Sequence, residues 1–410
     1  MSSQSEVQML NIDDITKARE VLAGIARCTP LLPTRTFSRL SGGDVYLKVE
    51  NTQRTGSFKI RGAYVKIKSL TRQQRQKGVI AASAGNHAQG VAIAAAMTGT
   101  RSVVVMPETA PLAKVTATRD YGAEVILKGN TYDEACAYAQ DLQHQMGLTF
   151  IHPFDDWKVM AGQGTIGLEI LDALPDVDAA IVPIGGGGLI AGVATALKAH
   201  QPKLKVIGVQ AAGASSCYQS FKRGVLTPTE EVNTIADGIA VKCCGTLTFP
   251  VIQRLVDDVV TVEDDAIVHS IFLLLERSKL LVEGAGAVGL AALMAGRIKL
   301  PRKKVVLLLS GGNIDVNLLA RLIEHGLTAA GRYLVIRVSV LDKPGQLLGL
   351  LRVLADKRVN ILQIEHHRTG LPLPVNQAEV ELTLETRDPE HCAEIMGALK
   401  AAGYEVWRTW

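Results

Sequence analysis

Four short segments hold residue types that could cooperate in chemistry. The first is Ser57-Phe-Lys-Ile-Arg-Gly62, which opens a helical stretch with Ser57 as a plausible N-cap. Lys59 then falls in the first turn, where the helix dipole opposes a charged ammonium and favours a neutral amine. A neutral lysine amine is what Schiff-base chemistry needs; taken alone, the segment also reads as a surface lysine on a helix. The second is Ser83-Ala-Gly-Asn-His87, between a strand and a helix. Its small residues leave backbone N–H groups free to hold a carboxylate at a helix N-terminus, and Asn86 can donate to an oxygen on a ring. The third is Gly185-Gly-Gly-Gly-Leu189, whose glycines let the backbone wrap an anion such as a phosphate. Gly186-x-Gly188-x-x-Ala191 also fits a loose dinucleotide fingerprint, but that reading expects an acidic residue at the end of the next strand, where Gln210 stands. The fourth is Ser310-Gly-Gly-Asn313, at a strand's carboxyl end, where a hydroxyl could donate to an unprotonated pyridine nitrogen. Apart from one another, the last three also read as plain turns.

These segments need a scaffold that alternates strands with helices. Strand-like runs at Gly78–Ala82, Ser102–Met106, Glu124–Leu127, Ala179–Ile184, Lys205–Gln210 and Val305–Ser310 alternate with helical stretches at Ala88–Met97, Thr131–Met146, Leu189–His200 and from the Gly-Gly-Asn turn to about Glu324. That rhythm implies βαβ units and a mostly parallel sheet. Past Gly326 and the small-residue stretch to Gly331 the rhythm changes. Strands are expected at Tyr333–Leu341, Val359–His367, Ala378–Glu385 and Glu405–Thr409, with helices at Pro344–Lys357 and Pro389–Ala401. In Ala378–Glu385 apolar and polar residues alternate, as in a strand with one wet face. The order βαββαβ is a ferredoxin-like module, and the main boundary is placed near residue 328.

Composition narrows the function classes. A chain of 410 residues, 47% hydrophobic and 20% charged, is long enough for two or three folded domains. The formal net charge of +4 is spread out, with no basic block that would suggest nucleic acid. Cys28, Cys136, Cys217, Cys243, Cys244 and Cys392 form no C-x-x-C pair, so a metal finger is unsupported and a reducing, cytoplasmic setting is the simplest reading. The polar stretch Met1–Asn11 has no signal-peptide character. Gly284–Gly296, rich in Gly and Ala, is too short to span a bilayer and suits a close-packed buried helix. No membrane association is expected.

In this order and spacing, the four segments resemble the pyridoxal phosphate (PLP) enzymes of the tryptophan synthase β-like family, fold-type II. More narrowly, the chain resembles threonine dehydratases (threonine ammonia-lyases) with a C-terminal ACT regulatory domain. His152-Pro-Phe-Asp-Asp156, Gly162-Gln-Gly-Thr165 and Glu283-Gly-Ala-Gly-Ala287 match as well, and Asp342-Lys-Pro-Gly-Gln-Leu347 resembles a typical first ACT loop. The resemblance implies an α/β fold with two open α/β subdomains, the smaller at about 47–155 inserted in the larger. A PLP-dependent domain over 1–328 and a ferredoxin-like βαββαβ ACT domain over 329–410 follow. It also implies roles. Lys59 would bind PLP covalently and later shuttle the Cα proton. Phe58 would pack against the ring, and Asn86 would bond the ring hydroxyl. Gly185, Gly186, Gly187, Gly188 and Leu189 would hold the phosphate, and Ser310 would face the pyridine nitrogen. Ser83, Ala84, Gly85, Asn86 and His87 would bind the substrate carboxylate. The implied reaction is β-elimination of water from L-threonine, more slowly from L-serine, giving an oxo acid and ammonia.

Serine racemases resemble this chain too, but usually carry a second serine where Ala84 stands and acidic metal ligands near Gln210 and Ser216. Poor racemisation and no divalent-metal site of that kind are expected; a monovalent cation held by carbonyls stays open. A serine racemase or serine dehydratase of the family, and a non-catalytic amino acid sensor, are the competing readings; the intact Lys59 argues against the sensor. The resemblance further implies a homo-oligomer, dimer or tetramer, and a role in amino acid metabolism, with isoleucine biosynthesis as one setting. An amino acid or nucleotide effector is expected at the ACT tail, with Gly345, Leu347 and Asn360 as contacts; a purely oligomerising module is the other reading.

Overall fold

Strands that are apolar along their whole length need cover on both faces, which parallel sheets flanked by helices provide. Ser102–Met106 and Ala179–Pro183 are such strands, buried at every residue. The computed structural model describes residues 9–368 and 374–409 and divides the chain into two compact units, Met1–Ile314 and Asp315–Trp410. The first holds two sheets. The larger has six strands in the order Leu31–Pro33, Asp44–Lys48, Lys304–Leu308, Ala179–Pro183, Lys205–Ala211 and Asp258–Val262. Every pairing in it is parallel except that of the first two strands. The smaller has four parallel strands, in the order Glu124–Leu127, Ser102–Met106, Val79–Ala82 and Thr149–Phe150. The chain leaves the larger sheet after Lys48, builds the smaller one, and rejoins the larger at Ala179.

Two helices show how small residues bring elements close. Gly284–Met294 is buried from Gly284 to Leu293, as its composition suggests. Trp157–Ala173, which hydrophobic periodicity does not announce, is buried along most of its length. A Cβ on its Gly162 would lie 2.6 Å from the Arg61 carbonyl oxygen, so only glycine lets it approach the helix Lys59–Ser69.

In the second unit, helix Val316–Ala329 precedes strand Tyr333–Leu341, helix Gln346–Asp356, strands Asn360–His367 and Gln377–Glu385, helix Pro389–Ala401 and strand Glu405–Arg408. The strands form one antiparallel sheet in the order Asn360–His367, Gln377–Glu385, Tyr333–Leu341, Glu405–Arg408. This is the ferredoxin-like order. Leu334, Ile336, Val338 and Val340 alternate into a core shared with Leu350, Leu354, Ile395 and Leu399. Pro389 takes the first helical position behind the Asp388 cap. Pro344 does not open its helix: Gly345 holds a left-handed cap at φ 88°, and the helix starts at Gln346. Among the described residues no helix is long and apolar enough to cross a membrane.

Candidate active site

The strand ends deliver the chemistry. Val79–Ala82 leads into Ser83, Ala179–Pro183 into Gly185, and Lys304–Leu308 into Ser310, which is the position open parallel sheets reserve for ligands. Backbone bonds stitch the first and fourth segments together. Phe58 N–H donates to the Ser310 carbonyl at 3.2 Å, Gly312 N–H to that of Gly56 at 2.8 Å, and Ser57 and Gly311 form an antiparallel bridge. The helix Asn86–Met97 rides directly on Lys59: a Cβ at Gly90 would lie 3.0 Å from the Lys59 carbonyl carbon.

Lys59 is the first residue of its helix, and its Nζ donates to the Pro153 carbonyl at 3.0 Å. The amine also lies 5.2 Å from the Phe58 ring centroid. Burial lowers its pKa to about 8, with Glu283 pulling the other way. Desolvation is thus the main cause, where the sequence had suggested the helix dipole. Ser57 is not the N-cap. That position belongs to Phe58, which is already helical and offers no side-chain cap, and the Ser57 Oγ is buried without a partner among the described residues.

The glycine run is shaped by its neighbours. Gly187, left-handed at φ 95°, caps helix Gly188–His200, whose first N–H groups have no intrahelical partner. A Cβ on Gly186 would sit 2.3 Å from the Phe154 ring, and one on Gly188 2.7 Å from the Phe154 carbonyl oxygen. Leu189 sends its side chain into the core, so only its backbone can serve a ligand. The Gly186 carbonyl accepts from Gly245 N–H at 3.1 Å and Thr248 Oγ1–H at 2.7 Å. Asp155 holds that second loop. Its carboxylate accepts from the N–H groups of Thr246, Leu247 and Thr248 and from the Thr246 hydroxyl, at 2.8–3.2 Å. Asp155 lies in a segment the sequence singles out, yet only the fold reveals this task.

Ser83, Ala84, Gly85 and Asn86 are half-buried, and a Cβ added to Gly85 would meet nothing within 4 Å, so open space borders this segment. The Ser83 Oγ accepts from Gly85 N–H at 3.2 Å. His87 departs from expectation. Its ring is buried and its Nε2–H donates to the Ile151 carbonyl at 2.8 Å. Burial and nearby Lys59 push its pKa down to about 3, so the ring is neutral and only its backbone N–H faces the helix terminus. Asn86 Nδ2 donates to Glu283 Oε1 at 2.6 Å, and Asn86 Oδ1 accepts from Asn313 Nδ2 at 2.8 Å. Burial, helped by Asp237, pushes the Glu283 carboxyl up to about 7, against the Asn86 hydrogen bond. The sequence marks the Glu283 segment without a role; the tertiary contact supplies one. Ser310 is buried two residues past its strand.

Gln210 is buried, its Oε1 accepting from Tyr218 N–H at 2.7 Å, and Ser216 Oγ–H points to the Val241 carbonyl at 3.4 Å. Among the described residues no His, Cys, Asp and Glu side chains gather as a metal site. In the second unit, Gly345 stands at the helix cap beyond Leu341, and Leu347 packs partly onto the core. Asn360 pairs with Glu385 and bonds its carboxylate at 3.0 Å, whereas Leu341 pairs with Gln377 at the other end of that strand. Within one chain Asn360 is therefore at the opposite end of the sheet from Gly345.

Comparison with known proteins gives the family. Residues 22–311 match the family described as pyridoxal-phosphate dependent enzymes, and residues 334–403 match the ACT domain. The L-threonine ammonia-lyase of Geobacter sulfurreducens is 51% identical over 398 residues, covering 97% of this chain and 99% of that one. The structure of maize serine racemase is similar with a TM-score of 0.74 at 36% identity, covering 78% of this chain and 99% of that one. The processed form of threonine deaminase isoform 2 from Solanum lycopersicum gives 0.72 at 39%, covering 77% and 95%.

Proposed function

This chain belongs to the pyridoxal-phosphate dependent enzymes and carries an ACT domain, and from that premise we propose its reaction. It is a lyase that eliminates water from L-threonine, and more slowly from L-serine. Water returns when the enamine product hydrolyses, so the net products are 2-oxobutanoate, or pyruvate from serine, and ammonia. The residues present fit PLP: a depressed buried amine, a glycine loop tightened against Phe154, and an unpartnered buried hydroxyl at Ser57. When bound, PLP supplies an electron sink for the Cα carbanion.

The protein supplies the rest. The backbone N–H groups of Gly185–Leu189, at the start of a helix, would hold the phosphate. With PLP bound, Asn86 would donate to the ring hydroxyl, Phe58 would pack against the ring, and the Ser310 hydroxyl would face the pyridine nitrogen. In the Ser83–His87 segment, Ser83 N–H is spent on the Val105 carbonyl and Gly85 N–H on the Ser83 hydroxyl, so the N–H groups of Ala84, Asn86 and His87 are the ones left to hold the substrate carboxylate. Lys59 Nζ takes the Cα proton, and a pKa of about 8 leaves a useful share of it neutral near pH 7. Ala84 has no proton to deliver to the opposite face, which favours elimination over racemisation. A methyl pocket distinguishes threonine from serine by only about 1–3 kcal/mol, so serine is also turned over.

The observation that carries this reading is the Lys59 amine, desolvated and bonded to a carbonyl rather than a carboxylate. Purified protein loaded with PLP should convert L-threonine to an oxo acid. Borohydride reduction followed by peptide mapping should mark Lys59. No oxo acid, or a label on another side chain, sinks the reading, and chiral analysis of serine after incubation tests the racemase alternative. The finer setting is a cytoplasmic homo-oligomer, dimer or tetramer, in isoleucine biosynthesis, allosterically regulated through the ACT domain with Gly345, Leu347 and Asn360 near the effector. The separation of Asn360 from Gly345 within one chain fits an effector site completed by a second copy. Turnover assayed with isoleucine, valine and adenine nucleotides tests the regulation.

A further inference from the structure

A primary amide helps an electron-rich oxygen only when its nitrogen end faces it; turned over, it presents a carbonyl and repels. Asn86 therefore needs a fixed orientation, and the structure contains a chain of contacts that sets one. It begins at the Thr55 main-chain carbonyl, which can only accept. Asn313 Nδ2 donates to that oxygen at 2.6 Å, so the nitrogen end of Asn313 is pinned there. The same nitrogen donates to Asn86 Oδ1 at 2.8 Å, which pins the oxygen end of Asn86 toward Asn313. The nitrogen end of Asn86 is left facing Glu283 Oε1, at 2.6 Å. One of its two N–H bonds goes to Glu283; the other has no protein partner among the described residues. Glycines on either side keep room for this relay: a Cβ at Gly56 would lie 2.4 Å from Asn313 Oδ1, and one at Gly311 2.2 Å from Glu283 Oε1.

We propose that Asn313 and Glu283 are positioning residues that hold the Asn86 amide with an N–H, not its carbonyl, toward the ring hydroxyl of the cofactor. This rests on the reading of Asn86 given above and adds the reason its amide cannot turn. The polarity of the relay is dictated at its origin by a peptide carbonyl. Its far end asks only for an oxygen that accepts.

The test uses PLP-loaded protein and reads two properties besides turnover: the rate of cofactor loss on dialysis, and the position of the cofactor absorbance band at fixed pH. Asn313→Asp places an acceptor against both Thr55 and Asn86 Oδ1. The Asn86 amide should turn, cofactor loss should quicken by about tenfold or more, and the band should move in the same direction as in Asn86→Ala. Asn313→Ala, which withdraws the donor without adding repulsion, should move both readouts the same way by less. Glu283→Gln keeps an accepting oxygen and should move them less than Glu283→Leu. Melting temperatures separate loss of fold from loss of orientation. If Asn86→Ala shifts the band while both Asn313 variants hold the wild-type band and retention, the relay is refuted and the Asn86 reading stands. If Asn86→Ala itself changes nothing, the reading of Asn86 fails and the relay falls with it.

Discussion

Lys59 and Arg61 leave the same turn of one helix and enter opposite surroundings. Arg61, 1% exposed, is saturated with partners. Its guanidinium donates to Glu50 at 2.8 and 2.9 Å, to Glu169 at 2.6 and 3.0 Å, to Thr165 Oγ1 at 3.1 Å and to the Arg27 carbonyl at 3.0 Å. Lys48 donates to Glu169 at 2.5 Å and Thr29 to Glu50 at 2.5 Å, so two cations and two carboxylates close a neutral buried cluster. Burial works against the charge on Arg61, but Glu50 and Glu169 outweigh it and its pKa is raised; burial likewise works against the Glu50 carboxylate, and Arg61 outweighs it. Lys59 meets the same burial with one carbonyl in place of two carboxylates, and its pKa falls. Burial alone therefore does not make a site reactive. A buried cation with full partners is structural, and one left under-paired is available for chemistry.

The largest expected effect breaks the Lys59 side of that contrast. Lys59→Ala should lower threonine turnover by at least about a thousandfold, with a melting temperature equal to or above that of the parent. Near-normal turnover would refute the assignment. Next comes the Arg61 side. Arg61→Met leaves Glu50 buried without a cation, and Glu169 with Lys48 alone, and should cost about 3–5 kcal/mol in urea unfolding. Arg61→Lys should not restore it, because an ammonium cannot reproduce the fork of donors. A loss below about 1 kcal/mol would remove the cluster from the account of the fold.

A smaller effect lies in the pH dependence beside Lys59. The folded pKa of His87, about 3, is below its unfolded value of 6.5, so the unfolded chain binds the proton first as pH falls. The stability His87 contributes is complete above pH 6.5 and is lost as pH drops from there toward 3, by an amount on the order of a few kcal/mol. Glu283, raised from 4.5 to about 7, acts in the other direction: stability is greatest below pH 4.5 and falls as pH rises toward 7. The stability of the parent relative to His87→Gln should therefore decline as pH falls below 6.5, and a constant difference would mean that His87 is not held neutral. Smallest is Asp155→Ala, outside both cation pockets. Asp155 accepts the N–H groups that lead into helix Thr248–Leu255, so its loss, like that of a helix cap, costs about 1–2 kcal/mol, and faster PLP loss should accompany it if Asp155 steadies the glycine loop.

Much of this was legible before any contact was known. Val103, Val104 and Val105, or Ala180, Ile181 and Val182, read as buried parallel strands because an apolar run is the same signal whichever helices cover it. Alternation along Ala378–Glu385 likewise revealed a one-faced sheet. The helix Trp157–Ala173 was not legible, because an element buried on nearly all sides has no polar face to mark its period. The start of the helix at Gln346 is not legible for a local reason: proline suits a first turn, but the left-handed Gly345 behind it sends the chain elsewhere.

Types and order of residues alone established the parallel α/β scaffold and the ferredoxin-like tail, and singled out a lysine, a glycine loop and an asparagine as candidates that the family resemblance joins in one chemistry. Such properties are written in local periodicity and in backbone freedom. Folding alone decided that Lys59 would be desolvated and under-paired, that His87 would turn to Ile151, and that Asp155, Glu283 and Asn313 would brace the site. Protonation and amide orientation depend on which atoms lie within about 3 Å, and those neighbours come from segments far apart in the chain.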